Sequence, residues 1–119
     1  RPDRIAPPQT LLPVATISPE LGWCDDPASP DYNTTVTLPF AASHEKMWRE
    51  DHAYDICVVL DWNLNPPVPG KGSAIFFHLA RENYSPTEGC IAVSLDDMMR
   101  ILMKCGPGSA IKTALSKLP

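Results

Sequence analysis

His78 and Cys90 are twelve residues apart, an imidazole closing the apolar run Ile75-Phe76-Phe77 and a thiol directly after Gly89. A thiol is a poor nucleophile until ionised. An imidazole within hydrogen-bond reach takes its proton, and the resulting thiolate–imidazolium pair attacks a carbonyl carbon. Gly89 has no Cβ, so a substrate carbonyl can come close, and the amides of Gly89 and Cys90 could converge on it as an oxyanion hole. These residue types nominate Cys90 as nucleophile and His78 as base of a cysteine enzyme acting on a peptide or amide bond. The competing reading is structural: most cysteines are core residues, and many strand-end histidines are simply hydrogen-bonded.

Other polar side chains fit a binding cleft less specifically. Arg81 has the planar guanidinium that grips a carboxylate, or else forms a surface ion pair. His44, Glu45, Arg49, Asp51 and His52 could recognise charged substrate groups, although Asp51 and His52 read better as a polar surface. Ser43-His44-Glu45 has the residue types of a hydroxyl-base-acid triad, but consecutive side chains do not readily converge in that way, and Ser43 reads as a helix cap. The spacing of His44, His52 and Cys57 matches no metal-ligand repeat, and no C-x-x-C pair occurs among Cys24, Cys57, Cys90 and Cys105, so metal and cofactor are both unexpected. Cys24 and Cys57 could pair in an oxidising compartment or stay as buried thiols. Asn33-Thr34-Thr35 and Asn83-Tyr84-Ser85 match glycosylation sequons, which carry weight only in a protein that passes through a glycosylating compartment.

The elements that must position these groups follow from pattern. With 119 residues, 44% of them hydrophobic, the chain suits one core and a single domain over 1–119. A net charge of −4 argues against nucleic acid as partner, and no apolar run is long enough to span a bilayer. No leader precedes the first proline-rich stretch, so any targeting signal is expected to lie outside these residues. Eight of the fourteen prolines fall in residues 1–39, which predicts extended pieces and turns there, with a short strand at Thr34–Leu38. A brief helix over 43–51 would turn Met47 and Trp48 inward. Alternation of Tyr54, Ile56, Val58, Leu60 and Trp62 predicts a strand with one buried face, and Ser73–Leu79 a central strand ending at His78. Ser94 with Asp97 forms a capping signature, and Leu95, Met98, Met99, Leu102 and Cys105 then predict a core-facing helix over 95–105, stopped by Gly106-Pro107. Its N-terminus would favour the thiolate. Met103 is expected in the same packed cluster, and 110–115 as a closing strand. The predicted fold is mainly β.

Gly72–Val93, with His78 at a strand end and Thr87-x-Gly89-Cys90 downstream, resembles the catalytic segment of the L,D-transpeptidase (YkuD-type) family. Gly22-Trp23-Cys24-Asp25-Asp26-Pro27, Ser43-His44-Glu45-x-x-Trp48-Arg49-x-Asp51 and Tyr54-Asp55 resemble a proteobacterial branch of it. The resemblance implies a β-sandwich-like catalytic fold whose further strands lie upstream of Arg1. It implies His78 as general base, Cys90 as the residue that forms a thioester, and a peptidoglycan stem peptide containing a diamino acid as donor. Ser73, Thr87, Glu88, Arg81, His44 and Tyr54 are the expected substrate-binding residues. It places the protein in the periplasm, or among exported proteins, of a Gram-negative bacterium. Transfer to an amine would make a crosslink and transfer to water a carboxypeptidase or endopeptidase; another acyl or glycan transfer, and a non-catalytic wall-binding module, are the remaining readings. Glu88 stands where most members carry a second histidine, Ala92 where Arg or Asn commonly follows, and the loop from His78 to Cys90 is shorter than usual. A carboxylate beside the nucleophile raises the thiol's pKa unless a cation pairs with it, and Glu88 is either that carboxylate, a binder of the substrate's amino group, or a solvated loop residue.

Overall fold

The structure, a computed structural model, describes residues 1–81 and 90–113. Within them the architecture is mainly β, two three-stranded sheets and one helix, as the sequence predicts. The first sheet is antiparallel, with β1 (Leu21–Cys24) between β2 (Thr35–Thr37) and β3 (His44–Lys46). β2 is β-branched at every position, which suits a pleated surface. Gly22 is central because nothing larger fits: a Cβ there would lie 2.7 Å from Leu38 Cδ2 and 3.2 Å from the Glu45 carbonyl oxygen.

β3 replaces the helix expected over 43–51. So short a helix gains little without tertiary support, whereas the free edge of β1 offers backbone partners, pairing Trp23 with Glu45 and Cys24 with His44. Ser43 therefore caps nothing; its hydroxyl donates to Asp25 Oδ1 at 2.6 Å. Met47 is buried as expected, and Trp48 lies under the Arg1 guanidinium, 3.6 Å from the ring centroid.

In the second sheet β5 (Phe76–Leu79) runs between β4 (Cys57–Val59), antiparallel to it, and β6 (Ile91–Val93), parallel to it. The strand expected from Tyr54 to Trp62 shrinks to β4 for a local reason. Asp55 N–H donates to the His52 carbonyl, so a turn separates Tyr54 from Ile56 and sends them into different cores; Trp62, beyond the strand, is 59% exposed.

Side chains alternate across β5. Phe76 packs with Trp23, Met47, Ala53, Tyr54 and Ala74, its ring edge-on to Trp23 at 5.0 Å, and this cluster joins the two sheets. Phe77 and Leu79 face the other way, onto Met98 and Leu102 of α1 (Leu95–Met103). Ser94 caps α1 as predicted, its hydroxyl accepting from Asp97 N–H at 3.2 Å. The helix ends two residues earlier than expected, with Lys104 N–H donating to the Ile101 carbonyl. Met98 is buried, but Met103 is 62% exposed, because 3.6 residues per turn carries it off the stripe defined by Met98 and Leu102. Residues 110–113 are not strand, and 114–115 of the expected closing strand lie outside the described residues. Among the described residues no helix is long and apolar enough to cross a membrane.

Asn33 fastens the two sheets. Its backbone is left-handed, at φ 60°. Its side-chain oxygen accepts from Trp23 Nε1–H and Ala74 N–H, both at 3.1 Å, while its amide donates to the carbonyls of Trp62 (3.2 Å) and Asn63 (2.6 Å). This buried amide is fully engaged, so its sequon is not a surface feature.

Candidate active site

The parallel register of β5 and β6, with Phe77 opposite Ile91 and His78 opposite Ala92, places Cys90 at the start of β6 beside Phe76. The Cys90 thiol donates to the Ala74 carbonyl at 3.3 Å and accepts from Phe76 N–H at 3.5 Å. Asn33, holding Ala74 N–H, thus fixes the segment against which the thiol rests. His78 shares the face of Phe76 and is 4% exposed. Its Nδ1 lies 2.8 Å from the Leu79 carbonyl oxygen, which can only accept. Nδ1 therefore carries the proton and Nε2 is left as the basic nitrogen.

Both groups line one cavity of about 380 Å³ with Asp25, Glu45, Arg49, Ala53, Tyr54, Ser73, Ala74 and Arg81. The first sheet supplies its acidic wall. Antiparallel pairing of β1 with β3 aligns Glu45 with Trp23 and brings Asp25, just past β1, to the same end. The stretch from Arg49 to Tyr54 supplies an adjoining wall, and Arg4 pins it by donating to the carbonyls of Glu50 (3.0 Å) and Asp51 (2.8 Å) and to Asp55 Oδ1 (2.9 Å). Arg49 is held by Asp51 through two bonds of 2.8 and 2.7 Å, with its guanidinium 5.0 Å from the Tyr54 ring centroid. The Tyr54 hydroxyl donates to Glu45 Oε1 at 3.0 Å. Ser73 Oγ donates to the Cys24 carbonyl at 2.8 Å.

At rest the site does not favour the thiolate, in spite of the helix that follows Cys90. Burial raises the Cys90 pKa above the ordinary thiol value; the Phe76 N–H opposes this and the Glu45 charge adds to it. The helix N-terminus does not reverse the balance, since Asp96 and Asp97 occupy its first turn. Burial first, and then Glu45, likewise push Tyr54 upward, so its hydroxyl stays a donor. The Arg49 guanidinium holds the Asp51 carboxyl down to about 2, so this pair is ionised at neutral pH.

Of the residues expected from sequence, His78, Cys90, Arg81, Ser73, Tyr54, Glu45 and Arg49 come together in the cavity. His44 does not line it; its Nδ1 lies 2.8 Å from the Ala42 carbonyl and its ring packs edge-on against Phe40. Asp51 holds Arg49, and His52 turns outward while its Nδ1 contacts buried Asp55 Oδ2 at 2.6 Å. Thr87, Glu88 and Gly89, and with them half of the expected oxyanion hole, lie outside the described residues. Asp25 is a lining residue that sequence reasoning passed over; its signal, a turn acid next to Cys24, has meaning only once β1 and β3 pair. All four cysteines are described and none is in a disulfide, Cys24 and Cys57 lying in different sheets.

A thiol and an imidazole in a charged cavity between two small sheets define a candidate acyl-transfer site. The chain matches the YkuD family, L,D-transpeptidase catalytic domain, over residues 1–112, and belongs to it. That family acts on peptidoglycan. No curated protein and no solved structure matches the chain.

Proposed function

We propose that this chain is a cysteine-dependent peptidoglycan L,D-transpeptidase with Cys90 as nucleophile and His78 as general base. The observation that carries the reading is that Cys90 and His78 line one cavity, with the histidine tautomer set by Leu79 so that Nε2 is the nitrogen able to take a proton. Sγ attacks the carbonyl carbon of a stem peptide's scissile amide as its proton passes to His78 Nε2. The C–N bond breaks, the leaving amine takes that proton, and a thioester remains on Cys90. An acceptor amine then attacks the thioester, forming a new amide and releasing the thiol. The acidic and basic walls suit a peptide bearing both ammonium and carboxylate groups, and Arg81 offers a bidentate carboxylate partner. A cell-wall substrate puts the enzyme's work in the periplasm or after export, and the resemblance to a proteobacterial branch supports a Gram-negative source.

Incubation with a stem tetrapeptide followed by intact-mass and peptide mapping tests this. The expected result is an acyl adduct on Cys90, absent in Cys90→Ala, together with crosslinked product when an amine acceptor is added. Turnover retained in Cys90→Ala, or an adduct on another residue, sinks the proposal.

A further inference from the structure

Glu45 is a carboxylate in the Cys90 cavity that no cation contacts directly among the described residues, although Arg49 and Arg81 line the same cavity. It lines the cavity with Cys90, and the Tyr54 hydroxyl fixes one of its oxygens at 3.0 Å. Arg49 commits its hydrogen bonds to both oxygens of Asp51, so it reaches Glu45 only through its field and not by a direct contact. Among the described residues Glu45 forms no ion pair. The arrangement is self-defeating for an enzyme at rest, since a negative charge in a thiol's cavity opposes the thiolate. It becomes productive once a cation binds. An ammonium at Glu45 gains a charge-assisted hydrogen bond in a partly desolvated site and offsets the charge that, after burial, opposes ionisation of Cys90.

We propose that Glu45, oriented by Tyr54, is the seat for a primary ammonium of the stem peptide and holds it beside Cys90. The proposal rests on the acyl-transfer reading for its ligand, but not on turnover for its test. Ligand binding and nucleophile activation are thereby coupled: the thiol ionises best when an amine-bearing peptide occupies the cavity. Asp51 is a positioning residue in this scheme, acting by keeping Arg49 off Glu45. The ammonium could belong to the donor peptide or to the acceptor, and the chemistry at Glu45 is the same.

Binding is measured by calorimetry on Cys90→Ala protein, which cannot react, with a stem peptide carrying a free side-chain amine and with the same peptide acetylated on that amine. The free amine is expected to bind at least about tenfold more tightly. That preference should vanish in Cys90→Ala/Glu45→Gln, return in part in Cys90→Ala/Glu45→Asp, and shrink in Cys90→Ala/Asp51→Asn, where Arg49 is released to neutralise Glu45. The Asp51→Asn comparison decides the matter should Glu45→Gln fail to fold. Equal binding of the two peptides, or an amine preference that survives both Glu45→Gln and Asp51→Asn, overturns the proposal. Kinetics in the Cys90 protein identify the source: Glu45→Gln slows thioester formation when the donor's ammonium is seated, and slows only its resolution when the acceptor's is. If wild-type protein prefers the free amine yet forms no adduct on Cys90, the acyl-transfer reading fails while the seat at Glu45 stands.

Discussion

The two faces of β5 differ in what neighbouring residues are for. Phe77 and Leu79 enter an apolar cluster with Met98 and Leu102, where volume and contact decide everything. One residue along in either direction, Phe76 and His78 face the cluster and cavity that hold Tyr54, Ala74 and Cys90. There hydrogen bonds to backbone carbonyls set a tautomer and a thiol's resting place. A strand's period of two thus separates stability from chemistry by a single position, and substitutions at adjacent residues should have opposite signatures.

The largest separation is expected at His78. His78→Gln should slow thioester formation by about 10²- to 10⁴-fold, the usual worth of a general base, while thermal unfolding still shows one cooperative transition. A variant within threefold of wild type would erase the distinction between the faces. Phe77→Ala is the reverse case, expected to lose about 3–5 kcal/mol of stability in urea unfolding while the protein that remains folded acylates near the normal rate. Asn33→Ala cuts across both faces, because it leaves the buried donors of Trp23 and Ala74 unsatisfied at about 1–3 kcal/mol each, frees the part-buried 62–63 carbonyls and loosens the segment behind Cys90. It should lower stability and acylation together. Ser94→Ala, which removes only the cap of α1, should cost about 1 kcal/mol with acylation unchanged.

The pH response distinguishes the faces without mutation. Because the folded Cys90 pKa is raised, its alkylation by iodoacetamide in the absence of peptide should continue to climb with pH beyond about 8.5, the value of an ordinary thiol. Alkylation that levels off at or below neutrality would overturn this description of the resting site. The smallest effect belongs to Asp51, whose folded pKa is depressed. Its contribution is complete above the ordinary carboxylate range and is lost as pH falls through about 2. The pair is partly solvated, so about 0.5 kcal/mol is expected in acid titration of stability.

Features encoded by near neighbours were readable from the chain alone. Ser94, the helical spacing and Gly106-Pro107 define α1 within two residues, and residue type with strand-end placement singles out His78 and Cys90. What depends on distant partners was not. β3 is a strand because β1 has an edge for it; Glu45 was a cleft candidate from its residue type, but the register that carries it to the cavity was hidden. The pattern from Tyr54 to Trp62 conceals the turn at His52–Asp55, which puts Tyr54 on the cavity side and Ile56 on the helix side. Asn33 showed only as part of a sequon, because its four partners come from three other segments of the chain. The resting state of Cys90 is a tertiary property too, set by burial and by a carboxylate from the other sheet.

That resting state bears on durability. Peroxide and other oxidants attack thiolates far faster than thiols, and oxidation past the sulfenic acid is irreversible for most proteins. With its pKa raised, Cys90 at neutral pH presents little of the vulnerable species. The burial and negative charge that slow the unoccupied site also act as a chemical preservative, and exposure to dilute peroxide should inactivate the protein more slowly at neutral pH than in alkali.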